Sequence, residues 1–412
     1  MSVTTSQLRL GMAVTWYLAL VIAVVTLVPF EFQAPSSFRL VWFTTASDLI
    51  ANVAFFVPFG FFVAFAHRGR PLLAGVALSV LVEFLQQFLP GRSPSALDVA
   101  TNAIGAGLGG AIHRALVAGI GRRQRDAGVA ALDLPLMGSV YLSVPLLWLS
   151  GLAAGNDGGR RWLVALLGVA VAIVLSSVSR HHLAPRGHPP ARTALLGGAG
   201  MALGLLPGWY DDPAFIATGA GLVVIGVLGL GDLIARIEPA GRRFEGPTIR
   251  RALVPFGCYL LLAALWPING LGEPWHGLAG VSRSAHGLGQ LGILRLLELM
   301  AAASVAGYAI AEVRGRAART AEAARRGRLV ASLSLGAALA VVRGFHEGYG
   351  ASLVDAGLVA VAAWVGALLY QRQRAYVLDL LGIPEPAGGP ASGPNYSRIA
   401  PPPLAEGAPK WR

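Results

Sequence analysis

The stretch DLIANVAFFVPFGFFVAFAHRGRPLLAGVALSVLVEFLQQFLPGRSPSALDVATNAIGAGLG, residues 48–109, decides the fold. It holds three apolar runs, each near the roughly 20 residues that a membrane-spanning helix needs, and each run carries polar side chains close to one end. Asp48 and Asn52 open the first. Glu83, Gln86 and Gln87 close the second. After the turn Pro90-Gly91-Arg92-Ser93-Pro94, Asp98 and Asn102 open the third. Positions three or four apart share a helix face, so each set forms one polar stripe. If every run crosses a membrane, the start of the first, the end of the second and the start of the third fall on one side. Three polar ends are then expected to converge there, together with Arg92. Ionisable groups at membrane depth cost several kcal/mol and normally face a bundle interior or a water-filled cavity.

The rest of the chain agrees with this beginning. Of 412 residues 55% are hydrophobic and 13% charged, and the mean hydropathy is +0.61, which leaves too few polar residues to cover a soluble surface. An all-α polytopic membrane bundle is predicted, with twelve spans at about 12–31, 49–66, 72–89, 98–118, 135–154, 162–178, 194–207, 214–234, 252–270, 292–312, 329–345 and 352–370. The net charge of +12 does not point to nucleic acid, because the basic residues, all Arg but Lys410, fall mainly in alternate inter-helix loops. One side of the twelve-span arrangement holds 26 of them and the other seven. Cytoplasmic loops carry such an excess, so both termini are expected in the cytoplasm. Arg160 and Arg161 break the pattern.

Few other chemistries are indicated. The single cysteine, Cys258, excludes an internal disulfide and a cysteine metal cluster. No phosphate-cradling glycine loop, nucleophile elbow or HExxH occurs, and neither cofactor nor metal is expected. His181, His182 and His188 share a loop without a Cys or acidic partner. Trp209, Tyr210, Asp211 and Asp212 read as an aromatic interface belt. The outer loop with His276 and His286 is long enough to act as a lid.

Four segments are expected: a four-helix unit at 10–120, a central membrane block at 121–251, a third block at 252–370, and a Pro/Gly/Ser-rich disordered tail at 371–412. The third block echoes the first. Gly91 to Asp98 has a counterpart in Gly348 to Asp355, Gly366 follows Asp355 by the eleven residues that separate Gly109 from Asp98, and Leu27-Val28-Pro29-Phe30 resembles Leu265-Trp266-Pro267-Ile268. A degenerate repeat in the same orientation accounts for these matches. Chance similarity between Gly- and Ala-rich helices is the competing explanation.

The polar set has a functional and a packing interpretation. Glu83 or Asp98 suits a general base and Arg92 an anion partner, and all seven of Asp48, Asn52, Glu83, Gln86, Arg92, Asp98 and Asn102 suit a binding pocket. Equally, Asp48 and Asp98 stand where N-caps stand, Arg92 suits charge neutralisation, and Asn52 and Asn102 suit hydrogen bonding between helices. Gly105 and Gly109 have the small-xxx-small spacing of close helix packing. Pro58 and Gly60 predict a kink.

The ordered string Asp48-xxx-Asn52-xxxxx-Pro58-x-Gly60, Glu83-xx-Gln86, Pro90-x-Arg92-xxxxx-Asp98-xxx-Asn102-xx-Gly105-xxx-Gly109 resembles the VanZ-like family, named for a teicoplanin-resistance accessory protein. The resemblance covers about residues 10–118. It implies a multi-pass protein of the bacterial cytoplasmic membrane, associated with the cell envelope, and no particular mechanism. A binding or accessory role toward membrane lipid, a lipid-linked glycan or a glycopeptide is expected first. An intramembrane enzyme comes second and a transporter third. In the third block Asp355 corresponds to Asp98, but Val359 and Tyr349 stand at the positions of Asn102 and Arg92.

Overall fold

The computed structural model describes residues 4–28, 30–34, 41, 46–67, 69–92, 94–120, 136–155, 157–180, 189–209, 212–237, 245–270, 274–275, 278–279, 290–315, 321–346 and 350–380. Among these residues the chain is almost wholly helical. Twelve helices have sixteen residues or more: α1 (Thr5–Leu27), α2 (Ala46–His67), α3 (Pro71–Gln86), α4 (Ala96–Ile120), α5 (Leu136–Ala154), α6 (Leu163–Val178), α7 (Pro190–Trp209), α8 (Pro213–Ile237), α9 (Glu245–Leu265), α10 (Gln290–Gly315), α11 (Ala321–Arg343) and α12 (Leu353–Leu380). One of them occupies each expected span. Three, α3, α7 and α8, begin on proline, whose fixed φ and missing N–H suit the first helical position.

Seven of the described helices are both long and apolar enough to cross a membrane, namely α1, α2, α6 with the turn before it, α8, α9, α10 and α12. Helix α3 and the Tyr141–Ala154 part of α5 are shorter apolar helices. Their outer faces confirm the solvent for which they are built. Trp16, Leu20, Leu195 and Ile225 are 62–71% exposed, a surface that associates in water and meets lipid tails in a bilayer. The protein is a multi-pass helical membrane protein.

Helix α1 buries Leu10, Val14, Leu18, Ile22 and Val25, a stripe at helical period. The α2 and α4 helices approach until their backbones touch. Gly105 and Gly109 lie against the carbonyls of Val53 and Val57, and Gly60 lies against that of Ala106, so that a Cβ at any of the three would overlap an oxygen. The contacts advance together from Val53–Gly105 to Val57–Gly109, which makes α2 and α4 parallel. Helix α3 packs antiparallel on α4, with Gly75 beside Ala106 and Pro71 beside Gly110. The small-residue spacing therefore serves the close approach that it predicts.

Beyond this unit, α5 packs on α10 and α7, α6 on α8 and α9, and α10 on α12. Two short parallel strands, β1 (Leu278–Ala279) and β2 (Ala351–Ser352), pair before α12. The Ser6 hydroxyl donates to Asp379 and the rings of Phe65 and Tyr376 meet edge to face at 5.3 Å. The start of α1 and the end of α12 thus lie at one end of the bundle. Several boundaries differ from expectation: α1 and α9 each begin seven residues early, at Thr5 and Glu245. Helix α12 runs to Leu380 rather than stopping at 370, and α11 begins at Ala321 rather than at 329. The tail from residue 381, the three loop histidines at 181, 182 and 188, and His276 and His286 lie outside the described residues.

Candidate binding site

The polar ends of α2, α3 and α4 meet at the end of the bundle opposite the start of α1. The anchors are clear at both ends. Gln7 donates to the Phe65 carbonyl at 2.9 Å near the start of α1, and Gln86 donates to the Thr26 carbonyl at 3.1 Å near its finish.

Glu83 ties α3 to α4. It is buried, and its carboxylate Oε2 accepts the backbone N–H of Ser95 at 2.9 Å. The Ser95 hydroxyl in turn accepts the N–H groups of Leu97 and Asp98, at 3.2 and 3.4 Å. Ser95, the residue before α4, therefore satisfies orphan donors at its start. A parallel bridge between Val41 and Ser95 pins the segment after α1 onto the same point. Asp98 sits half-buried in the first turn of α4, and Arg92 is exposed in the preceding turn. Glu83 feels the charge of both.

Asn102 is buried one turn further in, at 5% exposure, and donates its amide to the Ser79 hydroxyl at 2.8 Å. Its Oδ1 is also buried and finds no donor among the described residues. In the register set by Val53 and Gly105, Asp48 stands level with residue 100 and Asn52 with residue 104. Asp48 is exposed and Asn52 half-buried. The fold thus brings Asp48, Asn52, Glu83, Asp98 and Asn102 to one end of the α2–α3–α4 cluster, spread over successive turns, with Arg92 exposed in the turn between α3 and α4, while Gln86 spends its amide on α1. This end of the cluster carries three carboxylates, those of Asp48, Glu83 and Asp98, and one arginine, Arg92.

A second polar cluster has no counterpart in the sequence reading. The Arg160 guanidinium pairs with the Glu298 carboxylate inside the protein, and the Tyr259 hydroxyl donates to the other Glu298 oxygen at 2.6 Å. Next to it, Trp266 donates its indole N–H to Asp157 at 2.6 Å, and Arg161 pairs with Asp212 at 2.7 Å. Asp212 also accepts the Phe215 N–H at 3.1 Å at the start of α8, so it serves as a cap and counter-ion beside the expected aromatic belt. The two arginines that break the charge alternation are each neutralised by a distant acid. The available signal was Glu298 itself, an acid inside an apolar span, which demands a partner. Among the described residues no group of three or more His, Cys, Asp or Glu is placed to hold a metal ion.

Residues 8–117, which span α1 to α4, match the VanZ/LLP1 family model. No curated protein and no solved structure matches the chain.

Proposed function

We propose, from the VanZ/LLP1 domain carried by residues 8–117, that this unit is the recognition element of a bacterial cytoplasmic-membrane protein acting in the cell envelope. Its polar pocket, made by Asp48, Asn52, Glu83, Gln86, Arg92, Asp98 and Asn102, opens on the outer face and binds the donor-rich part of a lipid-linked glycan or a glycopeptide. The outward orientation rests on the arginine-rich loops at the opposite end.

The observation that carries this reading is the buried, unpartnered Oδ1 of Asn102. A buried acceptor without a donor costs about 1–3 kcal/mol and calls for an explanation. A ligand hydroxyl or amide N–H satisfies it. The surrounding carboxylates favour the same kind of ligand, one that donates hydrogen bonds or carries an ammonium group. Binding is preferred to catalysis because the Glu83 carboxylate is engaged by the Ser95 N–H, and a proton-accepting role would break that link between helices.

The test compares wild type with Asn102→Leu and Asp98→Asn at matched membrane abundance. Teicoplanin susceptibility and co-purified glycolipid, measured by mass spectrometry, are the readouts. Loss of both at unchanged protein level supports the reading. Unchanged susceptibility and unchanged lipid in both variants refute it.

A further inference from the structure

The C-terminal four helices repeat the contacts of the N-terminal four. Gly366 of α12 lies against the carbonyl of Ser304 and Gly307 of α10 against that of Ala363, as Gly109 lies against Val57 and Gly60 against Ala106. Gly366 and Ala363 stand 257 positions after Gly109 and Ala106, while Gly307 and Ser304 stand 247 after Gly60 and Val57. The offset of 257 also carries Ser95 onto Ser352 and Asp98 onto Asp355, and in both units the serine hydroxyl accepts the aspartate N–H, at 3.4 Å in the first and 3.2 Å in the second. Ser95 is bridged in parallel by Val41, and Ser352 by Ala279, 238 positions further on. The same 238 separate Leu27 and Pro29 from Leu265 and Pro267. Chance similarity between Gly- and Ala-rich helices does not carry contacts over in register.

The second unit is an internal control for the first. Where Ser79 of α3 meets Asn102 of α4, the offset of 257 places Gly336 and Val359. Gly336 rests on the Ala356 carbonyl and beside Ala360 of α12, and Val359 is 1% exposed. The link that Glu83 makes to the start of α4 also has a substitute, since Arg343 of α11 donates to Asp355 at 2.8 Å. The Ser79–Asn102 hydrogen bond has none. The same helix arrangement therefore forms with that amide and that hydroxyl both replaced by apolar groups, a change that costs little, whereas a single buried polar group left without a partner is expensive. Hydrogen bonding between helices does not explain why the first unit keeps the pair, because the pair brings with it a buried acceptor, Asn102 Oδ1, that finds no donor among the described residues.

We propose that α9–α12 are a second, non-binding copy of the VanZ/LLP1 unit, and that Ser79 is a positioning residue of the first, holding the Asn102 amide so that its Oδ1 meets an uncharged hydroxyl or amide N–H of the bound molecule. This rests on the binding reading of the N-terminal pocket. An asparagine amide has a donor end and an acceptor end. Ser79, itself fully buried, takes the donor end at 2.8 Å, and the acceptor end is what remains for recognition. Neither side chain carries a charge to compensate an ammonium group at this depth, so a neutral donor is the match. Sugar hydroxyls and peptide N–H groups both supply one, from a lipid-linked glycan or from a glycopeptide.

The experiment uses the full chain in nanodiscs, with two probes measured separately by native mass spectrometry, a polyprenyl-diphosphate-linked saccharide and teicoplanin, and with thermal unfolding alongside. Ser79→Ala leaves Asn102 in place but removes its acceptor. It is expected to lower both the melting temperature and binding. The double variant Ser79→Ala, Asn102→Val has the apolar character of the second unit, and is expected to regain the wild-type melting temperature while binding about tenfold less, the scale of one lost hydrogen bond. A merely structural pair would not separate stability from binding in this way. Whichever probe shows the loss identifies the source of the donor. Binding of neither probe to wild type overturns the reading of the pocket and the role of Ser79 with it. Binding by wild type that the double variant keeps in full overturns the role of the pair alone. A double variant that melts as low as Ser79→Ala shows that the pair serves the fold, and overturns the proposal as well.

Discussion

Arg160 and Glu298, 138 positions apart, form an ion pair whose side chains are each 1% exposed. The pair joins the turn before α6 to the first third of α10, and Tyr259 of α9 completes it. Removing one member of a buried pair leaves an uncompensated charge and costs about 3–5 kcal/mol, whereas replacing both with apolar groups is often neutral. Arg160→Met is therefore expected to lower the melting temperature of the detergent-solubilised protein sharply. The double variant Arg160→Met, Glu298→Leu should recover most of the loss. A double variant no better than the single would remove the ion-pair explanation.

The Glu83–Ser95 hydrogen bond separates two replacements at this position. Glu83→Gln keeps an oxygen acceptor for the Ser95 N–H, while Glu83→Ala leaves that buried donor without one and should cost about 1–3 kcal/mol. Thermal unfolding of the two variants side by side checks this. Equal destabilisation by both would mean that the charge, and not the acceptor, matters to the fold.

Glycines of α4 are predicted to divide sharply. Gly109 lies on the Val57 carbonyl, so Gly109→Leu forces α2 and α4 apart and should cost about 1–3 kcal/mol or more. A Cβ on Gly107 meets only Leu72, at an ordinary 3.6 Å, and Gly107→Ala should be neutral or should stabilise by up to about 1 kcal/mol through helix propensity. Size-exclusion profiles after heating distinguish the outcomes.

Outside the membrane-spanning helices, the Asp157 carboxyl is held below its usual range, first by the Trp266 indole N–H and then by the backbone N–H groups of Arg160 and Gly159. A lowered folded-state value means that its contribution is present above the unfolded carboxylate pKa and disappears as the pH falls through the folded one. Wild type should lose thermal stability between about pH 4 and lower values. Asp157→Asn should lose less over the same interval. Parallel slopes for the two proteins would show that Asp157 does not contribute.

The helices were legible because apolar runs of bilayer length leave few alternatives, and helical spacing placed the polar ends of α2, α3 and α4 together. Helix α12 outran its expected end because Gln371, Arg372, Gln373 and Arg374 break hydrophobicity but not helix propensity, and the Tyr308 hydroxyl donates to Gln373 at 2.6 Å. The partners of the polar residues were less legible. Nothing local in the sequence links Glu83 to a backbone N–H, or Arg160 to an acid 138 positions away. Spacing shows which residues share a face, whereas contacts between distant helices are fixed only by packing.

The neighbourhood of α1 and α12 has a temporal consequence. Tyr17 of α1 meets Ser304 of α10 at 3.3 Å, and the start of α1 rests on Asp379 near the end of α12. A ribosome adding roughly 5–20 residues per second delivers that last helix on the order of tens of seconds after the first. Until then one flank of α1 remains covered by lipid. Helix α1 is thus made well before α12, which covers part of it, an interval in which a membrane insertase or chaperone has access to it.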